Sequence, residues 1–254
     1  MLAILSPAKT LDFESEHNFP QYTHPEFIKD SAYLVDELKQ MTSEDMSRLM
    51  KISSSLGDLN TKRYKSWNVE FNNSNARQSI LCFKGGVYIG LDVDSFSEVD
   101  LLYSQNTLRI LSGLHGLLKP LDLIQPYRLE MGTSLKNKNG KNLYDFWGDK
   151  ITDSLNSSLE KSNSNFLLNL ASNEYFKSVN DKKIKVPIIN IKFLDKKKDA
   201  YKIISFFAKK ARGAMAAFVI KNKIRNTNDL KDFNSLGYVF DNSRSEKEVL
   251  VFTR

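Results

Sequence analysis

Short apolar runs that suit strands alternate with segments of helical periodicity along the whole chain. The first run, Leu2-Ala3-Ile4-Leu5, predicts a buried strand that ends at Ser6-Pro7, because proline removes a ladder donor. Further runs of this kind lie at 165–170, 186–193, 201–207, 237–240 and 248–252. The last two are close enough to form a hairpin. The pattern predicts a mixed α/β fold, with a mixed parallel and antiparallel central sheet covered by helices.

Helical periodicity is clearest at 25–41, 145–160 and 208–223. Thr42 with Asp45, and Ser97 with Asp100, are spaced as capping boxes that begin two further helices. After Ser97 the apolar stripe continues through Leu108 and Leu111, which predicts helix up to Ser112-Gly113. The stretch 78–91 predicts a strand, a Gly85-Gly86 turn and a further extended piece.

Length and composition predict one domain spanning residues 1–254. No internal repeat, low-complexity block or linker composition divides the 254 residues. The single cysteine, Cys82, excludes an intrachain disulfide, and the opening MLAILSP has no export signal, so a cytoplasmic location is expected. The apolar run Ala214 to Ile220 is too short to span a bilayer, so no membrane partner is expected. A monomer is the favoured oligomeric state.

The positive charge is concentrated in one segment of the sequence. The whole chain carries a formal net charge of +7. Residues 177–225 contain 15 Lys or Arg against three Asp and no Glu, a local balance of +12 that leaves −5 for the remainder. Such a segment favours a polyanionic partner.

The densest group of cations is Lys209-Lys210-Ala211-Arg212-Gly213. It follows an apparent strand and is predicted to begin a helix, where free amides and the macrodipole favour an anion such as phosphate. The alternative is a solvated basic face. The lysine runs at 182–185 and 196–198 are better explained as solubilising loops.

The stretch from Leu108 to Gly132 is similar to a helix-hairpin-helix, a module whose hairpin amides meet a DNA backbone. Gly113 and Gly116 would bracket the hairpin and Lys119 would begin the second helix. Two residues separate the glycines instead of the usual one, so a packing corner remains the alternative. Arg128 and Glu130 would form an ion pair or part of a cleft.

Metal and nucleophile chemistry has little support in the sequence. The only histidines are His17, His24 and His115, and with one cysteine they offer no zinc spacing, so neither a metal nor a cofactor is expected. Cys82 is expected to pack in the core and to be unreactive. Lys9 follows the first strand, a placement common at phosphate sites and elsewhere.

Six long strings resemble the YaaA peroxide-stress family, in order along nearly the whole chain: LSPAKTLDF, NARQSILCFKGGVYIGL, LRILSGLHGLLKPLDLIQPYRLEMG, LYDFWGDKIT, LNLASNEYFKSV and KIISFFAKKARG. The resemblance implies a cytosolic protein linked to hydrogen peroxide stress that limits unincorporated iron and so protects DNA. It also implies a single mixed α/β fold, a positively charged DNA-binding cleft and a helix-hairpin-helix. By position, it places Lys9, Arg128, Lys177, Lys210 and Arg212 in the cleft.

Two function classes follow. The first is a binding protein that holds duplex or branched DNA mainly through its phosphates, with little base specificity. The second is an enzyme acting on a nucleotide, nucleoside or phosphorylated substrate, with Glu174 or Asp145 as acid or base. Asn173 stands where the resemblance leads us to expect aspartate, which puts a role for that carboxylate in doubt. Direct iron sequestration, a third possibility, would need a carboxylate cluster that the spacing does not supply.

Overall fold

The computed structural model describes residues 1–15, 19–198 and 200–254, so His17 lies outside the described part. Its strands are β1 (Leu2–Leu5), β2 (Thr10–Leu11), β3 (Arg77–Gln78), β4 (Phe83–Lys84), β5 (Leu108–Ser112), β6 (Gly116–Leu118), β7 (Leu123–Ile124), β8 (Leu167–Asn169), β9 (Ile188–Lys197), β10 (Ala200–Lys202), β11 (Val239–Phe240) and β12 (Val249–Thr253). Its α-helices are α1 (Ile28–Lys39), α2 (Ser43–Met50), α3 (Ser54–Ser66), α4 (Ser79–Cys82), α5 (Gly86–Leu91), α6 (Glu98–Thr107), α7 (Leu143–Trp147), α8 (Lys150–Lys161), α9 (Asn173–Phe176) and α10 (Ser205–Lys221).

The main sheet has a parallel centre with antiparallel edges. Its strand order is β11-β12-β9-β8-β1-β5-β6, and β10 pairs with β9. The five strands from β12 to β5 pair in parallel, whereas β6 and β11 are antiparallel to their neighbours. Strand β1 lies near the middle and is buried along its whole length, as expected for a parallel strand covered on both faces. The predicted mixed sheet is confirmed.

Both predicted capping boxes are present. The Thr42 side chain accepts a hydrogen bond from the Asp45 backbone, and the Asp45 carboxylate accepts one from the Thr42 backbone, at the start of α2. Ser97 and Asp100 make the same reciprocal pair at the start of α6. These contacts use only neighbouring residues, which is why the sequence predicts them well.

The segment predicted as a helix-hairpin-helix is a β-hairpin, so that prediction is wrong. Residues 108–112 form β5, and β6 pairs with it in the antiparallel direction. The leucines at 108 and 111 match helical spacing, but all five residues of β5 are buried. A fully buried strand is apolar on both faces and therefore carries no alternation that would distinguish it from a helix.

The stretch 78–91 also differs from its prediction. One helical turn, α4, separates β3 from β4, and the piece after Gly85 is the helix α5 instead of a strand. Gly85 has a φ of 142°, a backbone conformation that favours glycine. Cys82 ends α4 and is fully buried, as expected, although its setting is helical.

Helix α10 begins at Ser205, although the sequence predicts a strand through residue 207. Only residues 201–202 of the expected strand are extended, as part of β10. The cluster Lys209 to Gly213 therefore lies one turn inside α10, where backbone amides already bond to carbonyls of the preceding turn. The prediction that this cluster supplies free helix-start amides is wrong.

Two glycines let α5 and α10 pack backbone against backbone. A Cβ on Gly90 would lie 1.9 Å from the Lys210 carbonyl oxygen, and one on Gly213 would lie 1.7 Å from the Val87 carbonyl oxygen. Any larger residue would push the helices apart. This contact fixes the start of α10 beside the Gly85-Gly86 loop.

Every helix in the described part of the chain is too short or too polar to cross a lipid bilayer.

Candidate functional site

The loops that leave β1 and β8 meet at the carboxyl edge of the sheet, the usual location of ligand sites in parallel sheets. The Ser172 backbone N–H donates to the Ser6 hydroxyl over 2.9 Å, and the Tyr88 hydroxyl donates to the Ser6 carbonyl over 3.2 Å. Ser6 therefore joins the β1 loop, the β8 loop and α5. We call the surface built on these loops the carboxyl-edge site; it comprises Ser6, Lys9, Arg128, Glu130, Ser172, Glu174, Tyr175, Lys177, Lys209 and Arg212.

Glu130 bridges two cations in this site. One carboxylate oxygen lies 2.6 Å from the Lys9 ammonium nitrogen, and the other accepts a hydrogen bond from Arg128 over 3.1 Å. The predicted ion pair of Arg128 and Glu130 is thus present, and Lys9 extends it. The three side chains carry one net positive charge, since one carboxylate offsets one of two cations.

Arg128 is held through both its side chain and its backbone, and one of its guanidinium donors has no partner among the described residues. The Tyr64 hydroxyl donates to the Arg128 carbonyl over 2.6 Å, which fixes the backbone. The Nε of Arg128 is buried and has no hydrogen-bond partner among the described residues. An unsatisfied buried donor is costly, and an anion in the site would relieve that cost.

Glu174 lies exposed at the other end of the β8 loop. Its carboxylate accepts a hydrogen bond from the Gly132 backbone over 3.0 Å, and its carbonyl accepts one from Tyr144 over 2.9 Å. The Lys177 ammonium lies 4.9 Å from the Tyr144 ring centroid, a cation–π distance. These contacts bring Lys177 to the rim of the same surface. Asn173, the first residue of α9, is exposed.

Tyr175 is buried between the two carboxylates of the site. Burial is the main reason that its pKa is raised, and the nearby negative charges of Glu174 and Glu130 add to the effect. The phenol therefore stays protonated and can act only as a hydrogen-bond donor or as packing.

Asp145, the second acid candidate, is occupied by local structure. Its carboxylate accepts hydrogen bonds from the Lys141 backbone over 2.9 Å and from the Asn142 side chain over 3.1 Å. It is exposed and stabilises the turn before α7. These bonds account for Asp145 without any role in catalysis.

Lys209 reaches the site through the glycine loop. A Cβ on Gly86 would lie 3.2 Å from the Lys209 Cβ, and one on Gly85 would lie 3.4 Å from the Ala8 Cβ. Ala8 precedes Lys9 in the chain. The loop after β1, the Gly85-Gly86 loop and the first turns of α10 are therefore in direct contact.

Arg212 lies in the middle of the buried face of α10. Successive residues of a helix are about 100° apart, so Arg212 falls between the fully buried positions Ala208 and Ala216 around the axis. Its side chain is half-buried, and within the described residues it has no hydrogen bond or ion pair. Burial lowers the pKa of its guanidinium, and no carboxylate of the described residues offsets this effect. An arginine remains charged in such a position, and the part of the chain that the structure describes offers it no counterion.

Lys210 does not share that position. It lies about 160° from Arg212 around the helix axis, on the side away from the sheet. The two residues, both predicted to lie in the cleft, therefore project from different sides of α10; Lys209 is about 60° from Arg212 and is the closer neighbour.

The hairpin residues are in the core instead of on a nucleic-acid surface. Residues 107–118 are all buried. A Cβ on Gly113 would lie 2.3 Å from the Leu129 carbonyl oxygen, and the Gly116 φ of 66° allows close packing on Trp147. Both glycines serve packing. The hairpin amides cannot contact a DNA backbone without unfolding this part of the protein.

Lys119 lies at the opposite, amino edge of the sheet. It lines a cavity of about 1040 Å³ that we call the amino-edge cavity, together with Arg109, Asp122, Lys161 and Arg225 among others. Asp122 is buried there and accepts hydrogen bonds from Thr23 over 2.5 Å and from the Lys119 backbone over 2.7 Å. Burial raises the pKa of its carboxyl to about 6.

The basic segment 177–225 therefore divides between the two edges. Helix α10 is 17 residues long, about 25 Å, and carries Lys209 and Arg212 near one edge while Arg225 follows it at the other. Near its end, Lys223 is paired with Asp100 at 2.6 Å. The cations of segment 177–225 are thus clustered in the sequence but do not lie together on one surface.

Sequence reasoning missed several members of the site. Tyr175 and Ser172 have no signal beyond their place after a strand, and Tyr144 reads as part of a helix. Arg212 was predicted as a site residue from the basic cluster, and its position adds a further signal, because an arginine centred on the apolar face of a helix is unusual. Across residues 1–15, 19–198 and 200–254, no three His, Cys, Asp or Glu side chains are grouped as metal ligands.

Known proteins resemble this chain over its full length. A sequence model of the family described as "Peroxide stress protein YaaA" matches residues 1–244. A protein of Aliivibrio fischeri described as a UPF0246 protein is 53% identical over 254 residues, which cover all of this chain and 98% of the relative. A UPF0246 protein of Saccharophagus degradans is 52% identical, over all of this chain and 99% of the relative. The chain therefore belongs to the YaaA family of peroxide stress proteins.

Proposed function

We propose that this protein binds DNA through phosphate contacts at the carboxyl-edge site. The observation that carries the proposal is Arg212, a half-buried guanidinium without a counterion among the described residues, with Lys209 one helical turn away. Arginine forks bind phosphate oxygens with two parallel hydrogen bonds, and lysine adds a point charge. Arg128, paired with Glu130 in the same site, adds a second guanidinium.

The binding has little sequence specificity. The cations of the site come from loops and from the side of a helix that packs on its own sheet, so no helix is free to enter a major groove. Phosphate contacts position a protein on nucleic acid but carry no base information. Affinity therefore depends mainly on charge and falls steeply with salt.

The family gives this binding its setting in peroxide stress. Iron that is bound along a DNA backbone generates hydroxyl radicals next to the sugar when it meets hydrogen peroxide. A cationic protein releases the cations condensed on the phosphates that it contacts. By displacing iron in this way, the protein limits iron-dependent oxidative DNA damage in the cytoplasm.

The direct test is a fluorescence-anisotropy titration of a labelled DNA duplex at several salt concentrations. The logarithm of the association constant should fall linearly with the logarithm of salt concentration, with a slope of about −0.9 for each phosphate contacted. Arg212→Gln should weaken binding, whereas Lys221→Gln, at the far end of α10, should leave it unchanged. Absence of binding at low salt, or equal effects of the two variants, would remove the proposal.

The enzyme hypothesis has weaker support. It needs a carboxylate buried in the basic site, but Glu174 is exposed and Asp145 is occupied by the turn before α7. Glu130 is nearer to the cations, yet both its oxygens are engaged by Lys9 and Arg128. Each of these carboxylates is better explained as a structural group.

A further inference from the structure

Phe206 is an exposed aromatic ring at the border of the carboxyl-edge site. It lies in the first turn of α10 and is 66% exposed, the highest value among the large hydrophobic side chains of the described residues. Phe207, in the same turn, is 38% exposed, and from Ala208 onward the helix buries most of its apolar residues. A large ring held in water by a well-packed helix is a candidate contact surface.

Two cations flank this ring. Lys209 and Lys210 follow Phe206 by three and four residues, so they are its neighbours one turn along the helix. Lys210 lies about 160° from Arg212 around α10, on the same side of the helix as Phe206. Phe206, Lys209 and Lys210 thus share one side of α10, which we call the Phe206 platform.

The neighbouring rings are already covered, whereas Phe206 is not. The Arg254 guanidinium lies 4.3 Å from the Phe207 ring centroid, and the Arg244 guanidinium lies 4.4 Å from that of Tyr201. In the described part of the chain, no cation covers Phe206. Its ring contacts Phe207 at 5.7 Å between centroids, an edge contact that helps to hold it in place.

We propose that the Phe206 platform binds single-stranded nucleic acid by stacking an unpaired base on Phe206, with the adjacent phosphates on Lys209 and Lys210. This inference rests on the proposed function and specifies its ligand. Base stacking on an aromatic ring tolerates any sequence, because every base has a π face. In a duplex the faces of the bases are already stacked on each other, so Phe206 adds little to the free energy of binding a duplex. The platform thus selects unpaired or frayed segments, which oxidative damage produces.

The positive charges of Lys209 and Lys210 disfavour a purely apolar binding partner at Phe206. An apolar protein surface that covered Phe206 would also have to desolvate Lys209 and Lys210, which is costly without compensating anions. A nucleic-acid strand supplies both the planar ring and the anions. Contact with a second copy of this chain is the main competing occupant and is tested below.

The test compares a labelled single-stranded thymidine oligonucleotide with a duplex of equal length in low-salt anisotropy titrations. Phe206→Ala should weaken single-strand binding about tenfold and leave duplex binding within about twofold. Ile203→Ala is the matched control, since Ile203 is 55% exposed nearby but has no aromatic face, and it should change neither. Phe206→Tyr should restore single-strand affinity.

A second readout reports stacking directly. In Phe206→Trp, the new indole should be quenched by the oligonucleotide, against a constant background because Trp67 and Trp147 are buried. Unchanged single-strand affinity in Phe206→Ala, or an equal loss on duplex, would overturn the inference while leaving the proposed function intact. If the wild type binds neither DNA, the proposed function itself fails. A concentration-dependent dimer in sedimentation velocity that Phe206→Ala abolishes would assign the ring to self-association instead.

Discussion

Arg212 and Lys210 are two residues apart in the sequence but lie about 160° from each other around α10. One is directed into the packing face of the helix and the other away from it. A basic cluster that looks uniform in the sequence is therefore split into two surfaces with different chemistry. Arg212 contributes a partly desolvated guanidinium to the carboxyl-edge site, and Lys210 contributes an ammonium to the Phe206 platform.

The position of Arg212 predicts that its charge lowers the free energy of unfolding and strengthens DNA binding. Arg212→Met keeps the length of the side chain but removes a half-buried charge that has no counterion in the described structure. We expect the free energy of unfolding to rise by about 1–2 kcal/mol, because no ion pair is lost and a desolvation cost is removed. Urea unfolding measures this change, and the anisotropy titration should show weaker duplex binding. A loss of stability in Arg212→Met would mean that the guanidinium has a stabilising partner.

Neutralising Glu130 should strengthen anion binding. Glu130→Gln frees Lys9 and Arg128 from the carboxylate that now holds both. We expect tighter duplex binding at low salt and a steeper dependence of affinity on salt, since more cations face the phosphates. Glu174→Gln is the control because its carboxylate accepts from a backbone amide and forms no ion pair among the described residues. Weaker binding in Glu130→Gln would show that Glu130 mainly positions the two cations.

The close contact between α5 and α10 predicts that one added methyl group greatly lowers the free energy of unfolding. Gly213→Ala would place a Cβ 1.7 Å from the Val87 carbonyl oxygen, so the two helices must separate. We expect a loss of about 3 kcal/mol in the free energy of unfolding, at the upper end of the usual cost of overpacking. Gly86→Ala is the graded control, because its Cβ would meet the Lys209 Cβ at 3.2 Å and requires only a small shift. Equal unfolding midpoints for the two variants would contradict the packing described above.

Asp122 predicts a pH dependence of stability. Its pKa is raised to about 6 in the folded protein from 3.8, so between these values the folded state holds a proton that the unfolded state has lost. The contribution of Asp122 is complete below pH 3.8 and is lost as the pH rises through 6. A shift of about two units corresponds to about 3 kcal/mol.

The measurement is the difference in unfolding free energy between Asp122→Asn and the wild type. This difference should rise by up to about 3 kcal/mol in favour of the variant from pH 4 to pH 7. Asp100→Asn should give a flat difference over the same range, because hydrogen bonds from Lys223 and Ser97 lower the Asp100 pKa to about 2. A flat difference for Asp122→Asn as well would mean that the buried carboxyl ionises normally.

Cys82 should not react with peroxide in the folded protein. Its thiol is fully buried, and burial raises its pKa, so almost no thiolate is present at neutral pH. Intact-mass spectrometry after treatment with hydrogen peroxide should show no oxidation of Cys82, and a thiol reagent should label it only when urea unfolds the chain. Rapid labelling of the native protein would point to local opening around α4.

The sequence predicts those parts of the fold that depend on neighbouring residues. The capping boxes at Thr42 and Ser97 need contacts only three residues apart, and β1 has a proline two residues after its end. The pairing of β11 with β12 follows from their closeness in the chain. In each case the local pattern and the final environment agree.

The parts of the fold that the sequence predicts wrongly depend on burial by elements that are distant in the sequence. All five residues of β5 are buried, including the polar Arg109 and Ser112, so the segment lacks the strict alternation of a half-exposed strand, and nothing in the pentapeptide itself distinguishes it from a helix. Likewise, the sequence cannot show that Lys119 lies at the amino edge while Lys9 lies at the carboxyl edge. Of the cleft residues carried over from the family, Lys9, Arg128 and Lys177 are joined by contacts through Glu130, Gly132, Glu174 and Tyr144. Lys210 and Arg212 make no hydrogen bond or ion pair with that set among the described residues, and only the course of α10 relates them to it.

The buried strand β5 connects the amino-edge cavity with the carboxyl-edge site. Arg109, near its beginning, lines the amino-edge cavity, and Gly113, just after its end, packs against the backbone that presents Arg128 and Glu130. About 13 Å of extended chain thus connects the two polar ends of the molecule. Because a packed strand neither stretches nor bends easily, β5 holds these two ends at a fixed distance. The hairpin that was expected to bind DNA acts instead as a strut, which sets the spacing between the two surfaces.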